Sequence, residues 1–148
     1  MRRRARCGAN SSPGDSLVGL DTTFLSDVLR QDETAMALLN ELAASQERHV
    51  TTALNAAELY NGAAASRHGA RMFAQIHELL EGVVVLPFHR ESSVIFGELT
   101  RKPTRNGSPH PFLDLMIAAS LLAHDKTRIV TRNVRDFESV PGMVVLSY

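Results

Sequence analysis

The sequence predicts an α/β domain with a central, mainly parallel sheet. Three observations predict it. Short apolar or β-branched runs at 17–20, 49–52, 83–86, 127–131 and 143–146 alternate with longer stretches whose apolar residues keep helical spacing. The stretch 111–124, PFLDLMIAASLLAH, is almost wholly apolar and reads as a buried helix around which the rest is organised. The chain has 148 residues, 44% of them apolar and 22% charged, which suits one domain with one sizeable core. No internal repeat or second domain boundary interrupts it.

Each element has its own signal. Residues 1–16 carry Arg, Ser, Gly and Pro without apolar periodicity and read as a disordered basic tail, leaving 17–148 as the single domain. The run 17–20 is a buried strand that delivers Asp21 at its C-terminal end. Thr22 and Thr23 can open a helix, which continues through Phe24, Leu25, Val28 and Leu29. Gln31-Asp32 breaks it. Asp32 and Glu33 give an acidic first turn to a second helix, with Ala35, Leu38, Leu39 and Leu42 inward and an end near Glu47. After the strand at 49–52, Thr51 or Thr52 can cap a helix through Ala56, Leu59 and Tyr60, with Asn61-Gly62 as its stop. A helix over 66–81 turns Met72, Phe73, Ile76, Leu79 and Leu80 inward and ends at Gly82. The strand 83–86 is stopped by Pro87. From Phe88 to about Lys102 the pattern is helical again. A loop at 103–110, rich in Pro, Gly, Asn and Ser, follows. Pro111 suits the first turn of the apolar helix. Residues 133–138 form a short polar turn or helix after the strand 127–131, and Pro141-Gly142 turns the chain into the last strand.

Composition excludes several functions. Trp is absent and aromatics make up 5%, so stacking platforms for bases do not carry binding. The 16 basic and 16 acidic residues balance to zero, although Arg2, Arg3, Arg4 and Arg6 crowd the first few positions. A neutral total leaves local patches to decide nucleic-acid binding. Cys7 is the single cysteine; it can make neither an internal disulfide nor a Cys-rich zinc site, which fits a reducing, cytoplasmic setting. No run reaches transmembrane length, and the basic start lacks the apolar core of a secretory signal. No membrane partner is expected.

The carboxylates carry the chemistry. In open parallel sheets, functional groups collect beyond the C-terminal ends of the strands. Asp21 ends the first strand. Glu58 lies on the helix after the second. Asp114 interrupts the apolar helix between Leu113 and Leu115. Thr131, Asn133 and Asp136 follow the fourth strand. Each has a plainer reading. Asp21 could cap a helix. Glu58 could face solvent. Asp136 could cap a turn, and Thr131 and Asn133 could bond local backbone. Asp114 could sit in a first helical turn, form a buried ion pair with an Arg, or serve as a metal or catalytic carboxylate. Together they can all reach one edge of the sheet. Two carboxylates about 4 Å apart repel by roughly 4 kcal/mol at an effective dielectric of about 20. A shared Mg²⁺ or Mn²⁺ turns that repulsion into binding, and such a metal suits phosphodiester hydrolysis without a covalent nucleophile.

Four segments carry a resemblance: LDTTFL at 20–25, AELYNG at 57–62, LDLMIAA at 113–119 and TRNVRDF at 131–137. In this order, with acids at matching places, the chain resembles the PIN-domain family, most closely its VapC-type ribonuclease toxins, over about 17–146. The resemblance implies a compact α/β/α PIN-like domain and a metal-dependent endoribonuclease, the toxin of a type II toxin–antitoxin pair. It implies that Asp21, Glu58, Asp114 and Asp136 hold Mg²⁺ or Mn²⁺, with Asp21 and Asp114 as the most direct ligands and Glu58 and Asp136 acting partly through water. Thr131 and Asn133 would orient waters or acids. It also implies a homodimer and a small antitoxin that blocks the site. Arg101, Lys102, Arg105, Arg132 and Arg135 are the candidates for RNA contact, against the plainer reading of solvated surface charge. The Arg-rich tail is longer than such toxins usually carry.

Other readings fit less well. A phosphoryl-transfer receiver would need a second acid beside Asp21 and a Lys after a late strand, but Asp21 precedes two threonines and the lysines are Lys102 and Lys126. A P-loop or dinucleotide fold would need its glycine signature. A zinc enzyme would need clustered His or Cys, and the six His are scattered. The rival from another class is a non-catalytic PIN-like scaffold that binds RNA or protein.

Overall fold

Strand β1 (Leu17–Leu20) runs through the middle of a five-stranded sheet. On one side it pairs with β2 (Arg48–Thr52), which pairs in turn with β3 (Val84–Leu86). On the other side it pairs with β4 (Arg128–Val130), followed by β5 (Val144–Leu146). The order is therefore β3-β2-β1-β4-β5, and every pairing is parallel. The chain leaves β1 towards β2 and later returns to its other side with β4. That reversal opens a crevice at the C-terminal ends of β1 and β4, where doubly wound sheets bind their ligands. The computed structural model describes residues 17–45, 47–102, 107, 111–125 and 128–148. The tail at 1–16 and most of the loop at 103–110 lie outside them.

Alternation along the strands sorts the core into two faces. Val18 and Leu20 point to one face, against Phe24, Leu25 and Val28 of α1 (Thr22–Leu29), Ala35 and Leu42 of α2 (Glu33–Ala44), Leu59 and Ala63 of α3 (Ala53–Ala64), and Ile76 of α4 (Gly69–Glu81). The other face takes Val50 and Ile129 against Leu99 of α5 (Arg90–Leu99), Leu115, Ile117, Ala118 and Leu121 of α6 (Phe112–Ala123), and Phe137 of α7 (Val134–Glu138). The result is the α/β/α layering expected, with a sheet parallel throughout. Gly19 faces α6 from the central strand. A Cβ there would lie 2.9 Å from both terminal methyls of Leu121 and 3.1 Å from the Arg128 carbonyl oxygen, so glycine lets the apolar helix press directly on the sheet.

Several boundaries differ from the sequence reading. Helix α3 runs through Asn61-Gly62 to Ala64, because Gly62 is exposed with open space around its Cα and a continuing helix costs it only propensity. Helix α2 ends at Ala44 instead of near Glu47, and α4 begins at Gly69 instead of Ser66. Phe73 is not inward: it is 42% exposed and rests on Tyr60, ring centroids 5.0 Å apart. Pro111 occupies the cap position of α6, just before the first turn. His89 precedes α5 and caps it through Ser92, so the helix begins later than Phe88. Among the described residues, no helix is long and apolar enough to cross a membrane.

Candidate metal centre

Asp21 is the fixed point of the crevice. It stands at the N-cap position of α1, yet its side chain makes no cap hydrogen bond. The carboxylate turns into the crevice instead and is 3% exposed. Oδ2 accepts the Thr131 hydroxyl at 2.7 Å and the Thr23 hydroxyl at 3.0 Å, while Oδ1 accepts from Asn55 Nδ2 at 3.0 Å. Thr131 follows β4 directly and is fully buried. Its backbone N–H is taken by the Leu146 carbonyl at 3.1 Å, and its hydroxyl also accepts the Asn133 N–H at 2.9 Å. Three donors on a buried carboxylate compensate the cost of burying it.

Glu58 sits half-buried on α3, not in free solvent. Its Oε2 accepts the Thr22 hydroxyl. Burial pushes the Glu58 carboxyl above its ordinary 4.5; the Thr22 hydrogen bond opposes this, and the Asp21 charge adds to it. Asp114 lies in the first turn of α6, so the plainer reading of its position is correct. Among the described residues, no Arg or Lys pairs with it. Its Oδ2 accepts from Asn133 Nδ2 at 3.4 Å, a long contact.

The Asp114 carboxyl is pushed from 3.8 up to about 7. Burial is the largest cause. The charges of Asp136, Asp21 and Glu58 follow, then a hydrogen bond with Asp136 that favours the protonated form. Asp21, Glu58 and Asp136, the other acids singled out in the sequence, are therefore all within electrostatic reach of Asp114. Asp21, Glu58 and Asp114 line one cleft of about 350 Å³, together with Thr22, Thr23, Asn133 and Arg132. Asp136, in the first turn of α7, is not among the residues lining the cleft but lies within hydrogen-bond reach of Asp114. Among the described residues, no three acids converge tightly enough to form a ready-made ligand group. Asp21 leans on three donors, Glu58 on the Thr22 hydroxyl and Asp114 on Asn133. An all-oxygen donor set in which neighbouring acids raise the carboxyls of Asp114 and Glu58 fits a hard divalent cation, which would remove that repulsion.

The basic candidates are dispersed. Arg101 and Lys102 are exposed in the turn after α5 and line a separate depression with Glu98 that holds none of the four acids. Arg105 lies outside the described residues. Arg135 is exposed on α7. Arg132 borders the acid cleft, but its guanidinium pairs with Asp27 at 2.9 Å and Asp32 at 3.3 Å, with the Tyr148 ring 5.2 Å away. Tyr148 also donates its hydroxyl to Asp27 at 2.6 Å. Arg132 is thus braced on two sides by carboxylates.

Sequence reasoning missed Asn55, Thr22 and Thr23 as members of the site. The signal for Asn55 was the T-x-x-N spacing of a capping box, Thr52 to Asn55, on a helix already assigned. Nothing local shows that the same amide also faces Asp21, which lies 34 residues earlier.

Comparison with known proteins agrees with the fold. The family model described as PIN domain matches residues 18–143. No curated protein matches the chain. Several solved structures do. VapBC2 from Rickettsia felis, bound to a DNA fragment from its promoter, superposes with a TM-score of 0.79 at 20% identity, covering 89% of this chain and 98% of that one. FitAcB from Neisseria gonorrhoeae gives 0.69 at 25% identity, covering 87% and 96%. VapBC-5 from Mycobacterium tuberculosis, a member of the VapBC family of toxin–antitoxin systems, gives 0.66 at 21% identity, covering 90% and 99%.

Proposed function

The chain belongs to the PIN-domain family, and from that premise we propose that it is a divalent-metal-dependent endoribonuclease, the toxin of a type II toxin–antitoxin pair. The observation that carries the proposal is Asp114: a partly buried carboxyl, without a cationic partner among the described residues, raised to about 7 by burial and by three further acids at the C-terminal edge of the sheet. A structural acid would be paired or solvated. Asp21, Glu58, Asp114 and Asp136 are the residues we assign to hold Mg²⁺ or Mn²⁺, Asp21 and Asp114 most directly.

A divalent cation bound there supplies positive charge and Lewis acidity for hydrolysing a phosphodiester. The protein's own groups do the rest. Thr131, Thr23 and Asn55 hold both oxygens of Asp21 in one orientation. Asn133 marks the direction of Asp114 Oδ2. Glu58, with Oε2 committed to Thr22 and a carboxyl raised by burial, offers Oε1 to accept a proton from an attacking water. Arg101, Lys102 and Arg135 are the exposed cations we assign to guiding RNA, with Arg105 beside them in sequence; Arg132 shapes the wall of the cleft. We assign 17–148 to one nuclease domain.

Two protein partners belong to the proposal: a second copy of the chain and a small antitoxin. The toxin–antitoxin complexes among the structural relatives support the second. So does a groove of about 340 Å³ that adjoins the acid cleft, shares Ser26, Arg30 and Glu58 with it, and is otherwise lined mostly by apolar residues, Leu29, Leu59, Met72 and Ile76, with Gln75 among them. A segment lying there would reach the acids. We place the protein in the cytoplasm.

Calorimetric titration of Mn²⁺ into antitoxin-free protein, wild type against Asp114→Asn, tests the metal reading without knowledge of the substrate. Binding lost in a folded variant, with Mn²⁺-dependent RNA cleavage by the wild type, supports it. Mn²⁺ binding without any cleavage of RNA would favour the scaffold instead.

A further inference from the structure

Asn55 is 1% exposed and spends every hydrogen-bonding position it has. Its Nδ2 donates to Asp21 Oδ1 at 3.0 Å and to Thr22 Oγ1 at 3.0 Å. Its Oδ1 accepts the Thr52 N–H at 3.2 Å and the Thr52 hydroxyl at 2.7 Å. Two donors and two acceptor sites exhaust a carboxamide. The opposite amide orientation would aim Oδ1 at a carboxylate and N–H at N–H, so the surroundings allow one orientation. Thr22 accepts from Asn55 and donates to Glu58 Oε2. Hydrogen bonds therefore run from Thr52 into Asn55, and from Asn55 outward along two arms. One arm ends on Asp21, the other on Glu58.

Capping explains only the inward half. The box that starts α3 uses Thr52 and the Asn55 oxygen. A Glu or Gln is the usual residue at this place in a capping box. Glu would add another carboxylate against Asp21, and Gln would carry its amide one methylene further out. Asn provides a short, neutral, double donor between two acids that repel each other. We propose that Asn55 is a positioning residue that fixes the spacing and orientation of Asp21 and Glu58 for a shared divalent cation. The inference rests on the reading above that these acids bind a metal.

The test is Mn²⁺ titration by calorimetry, without RNA, on wild type, Asn55→Ala and Thr22→Val, with circular dichroism reporting the fold of each. Loss of an outer partner that orients metal ligands typically weakens binding on the order of 10–100-fold, and that is the result expected for a folded Asn55→Ala. A folded Asn55→Ala with wild-type affinity overturns the inference, since a residue that only caps a helix would leave the metal unaffected. Should Asn55→Ala fail to fold, Thr22→Val carries the test: it keeps Asn55 and the cap but cuts the arm to Glu58. Weakened binding then supports the inference, and unchanged binding overturns it. A wild type that binds no Mn²⁺ overturns the metal reading and this inference together; binding by the wild type with unaffected variants overturns the inference alone.

Discussion

Replacing Asp114 with Asn should make the metal-free protein more stable, and by an amount that grows with pH. The folded state raises this carboxyl from 3.8 to about 7. Between those values the folded protein holds a proton that the unfolded chain has released. Its stability therefore falls as pH rises through that window, and the loss is complete above about 7. Taken at face value the displacement corresponds to a ceiling of about 4 kcal/mol. The side chain is partly exposed, and solvent screening reduces this to about 2 kcal/mol. Asn carries no charge at any pH and escapes the penalty. Near pH 4 the two proteins should melt together; at pH 8, in EDTA, the variant should melt roughly 4–8 °C higher, from about 2–4 °C per kcal/mol at this size. Thermal unfolding followed by circular dichroism reads the difference directly. Saturating Mn²⁺ should reverse the order, because a ligand at about 100 times its Kd adds roughly 2.7 kcal/mol to the protein that binds it. Equal melting at pH 8 in EDTA, or a difference that does not change with pH, would refute the reasoning.

The remaining predictions concern the frame around that carboxyl. Thr131→Val removes a 2.7 Å donor from buried Asp21 and should cost about 2 kcal/mol, read as a lower urea midpoint, while Thr131→Ser should retain most of it. Gly19→Ala forces a methyl against Leu121 and the Arg128 carbonyl oxygen and should destabilise by roughly 1–3 kcal/mol in the same assay. Arg132→Ala removes the pairs to Asp27 and Asp32 and should lower the melting temperature more at low salt than at high salt.

Local signals made much of the fold legible. The run 17–20 ending in Asp21, the apolar helix with Asp114 in its first turn, and Thr52 as a cap were all readable, because each depends on period, charge or capping within a few residues. The errors share a cause. Asn61-Gly62 looks like a stop only if the chain has something better to do than continue the helix, and α3 continues for two residues beyond it, with Ala63 buried in the core and Ala64 exposed. Phe73 looks inward by spacing, but Ile76 already fills the buried line of α4, which leaves the ring on Tyr60 at the surface. Arg132 looked free until the fold brought Asp27 and Asp32 to it from about a hundred residues away.

The same limit applies to the acids, and it explains why they were legible while their supports were not. A carboxylate in an apolar helix or at the end of a buried strand contradicts its surroundings, and contradiction is visible in sequence. A hydroxyl or amide in those places contradicts nothing. Thr22, Thr23 and Asn55 suit a helix start as well as they suit a carboxylate, so their second use emerges only when β1, α3 and β4 meet. This division has an energetic basis. Asp21 receives three donors and lies buried, whereas Asp114, among the described residues, receives one long amide contact and shares a hydrogen bond with another acid, and is pushed to about 7. One acid is held rigidly by the protein; the other is left short of partners. A site that satisfied both would be more stable without a cation and would bind one less tightly, because the repulsion that the cation relieves would already be gone.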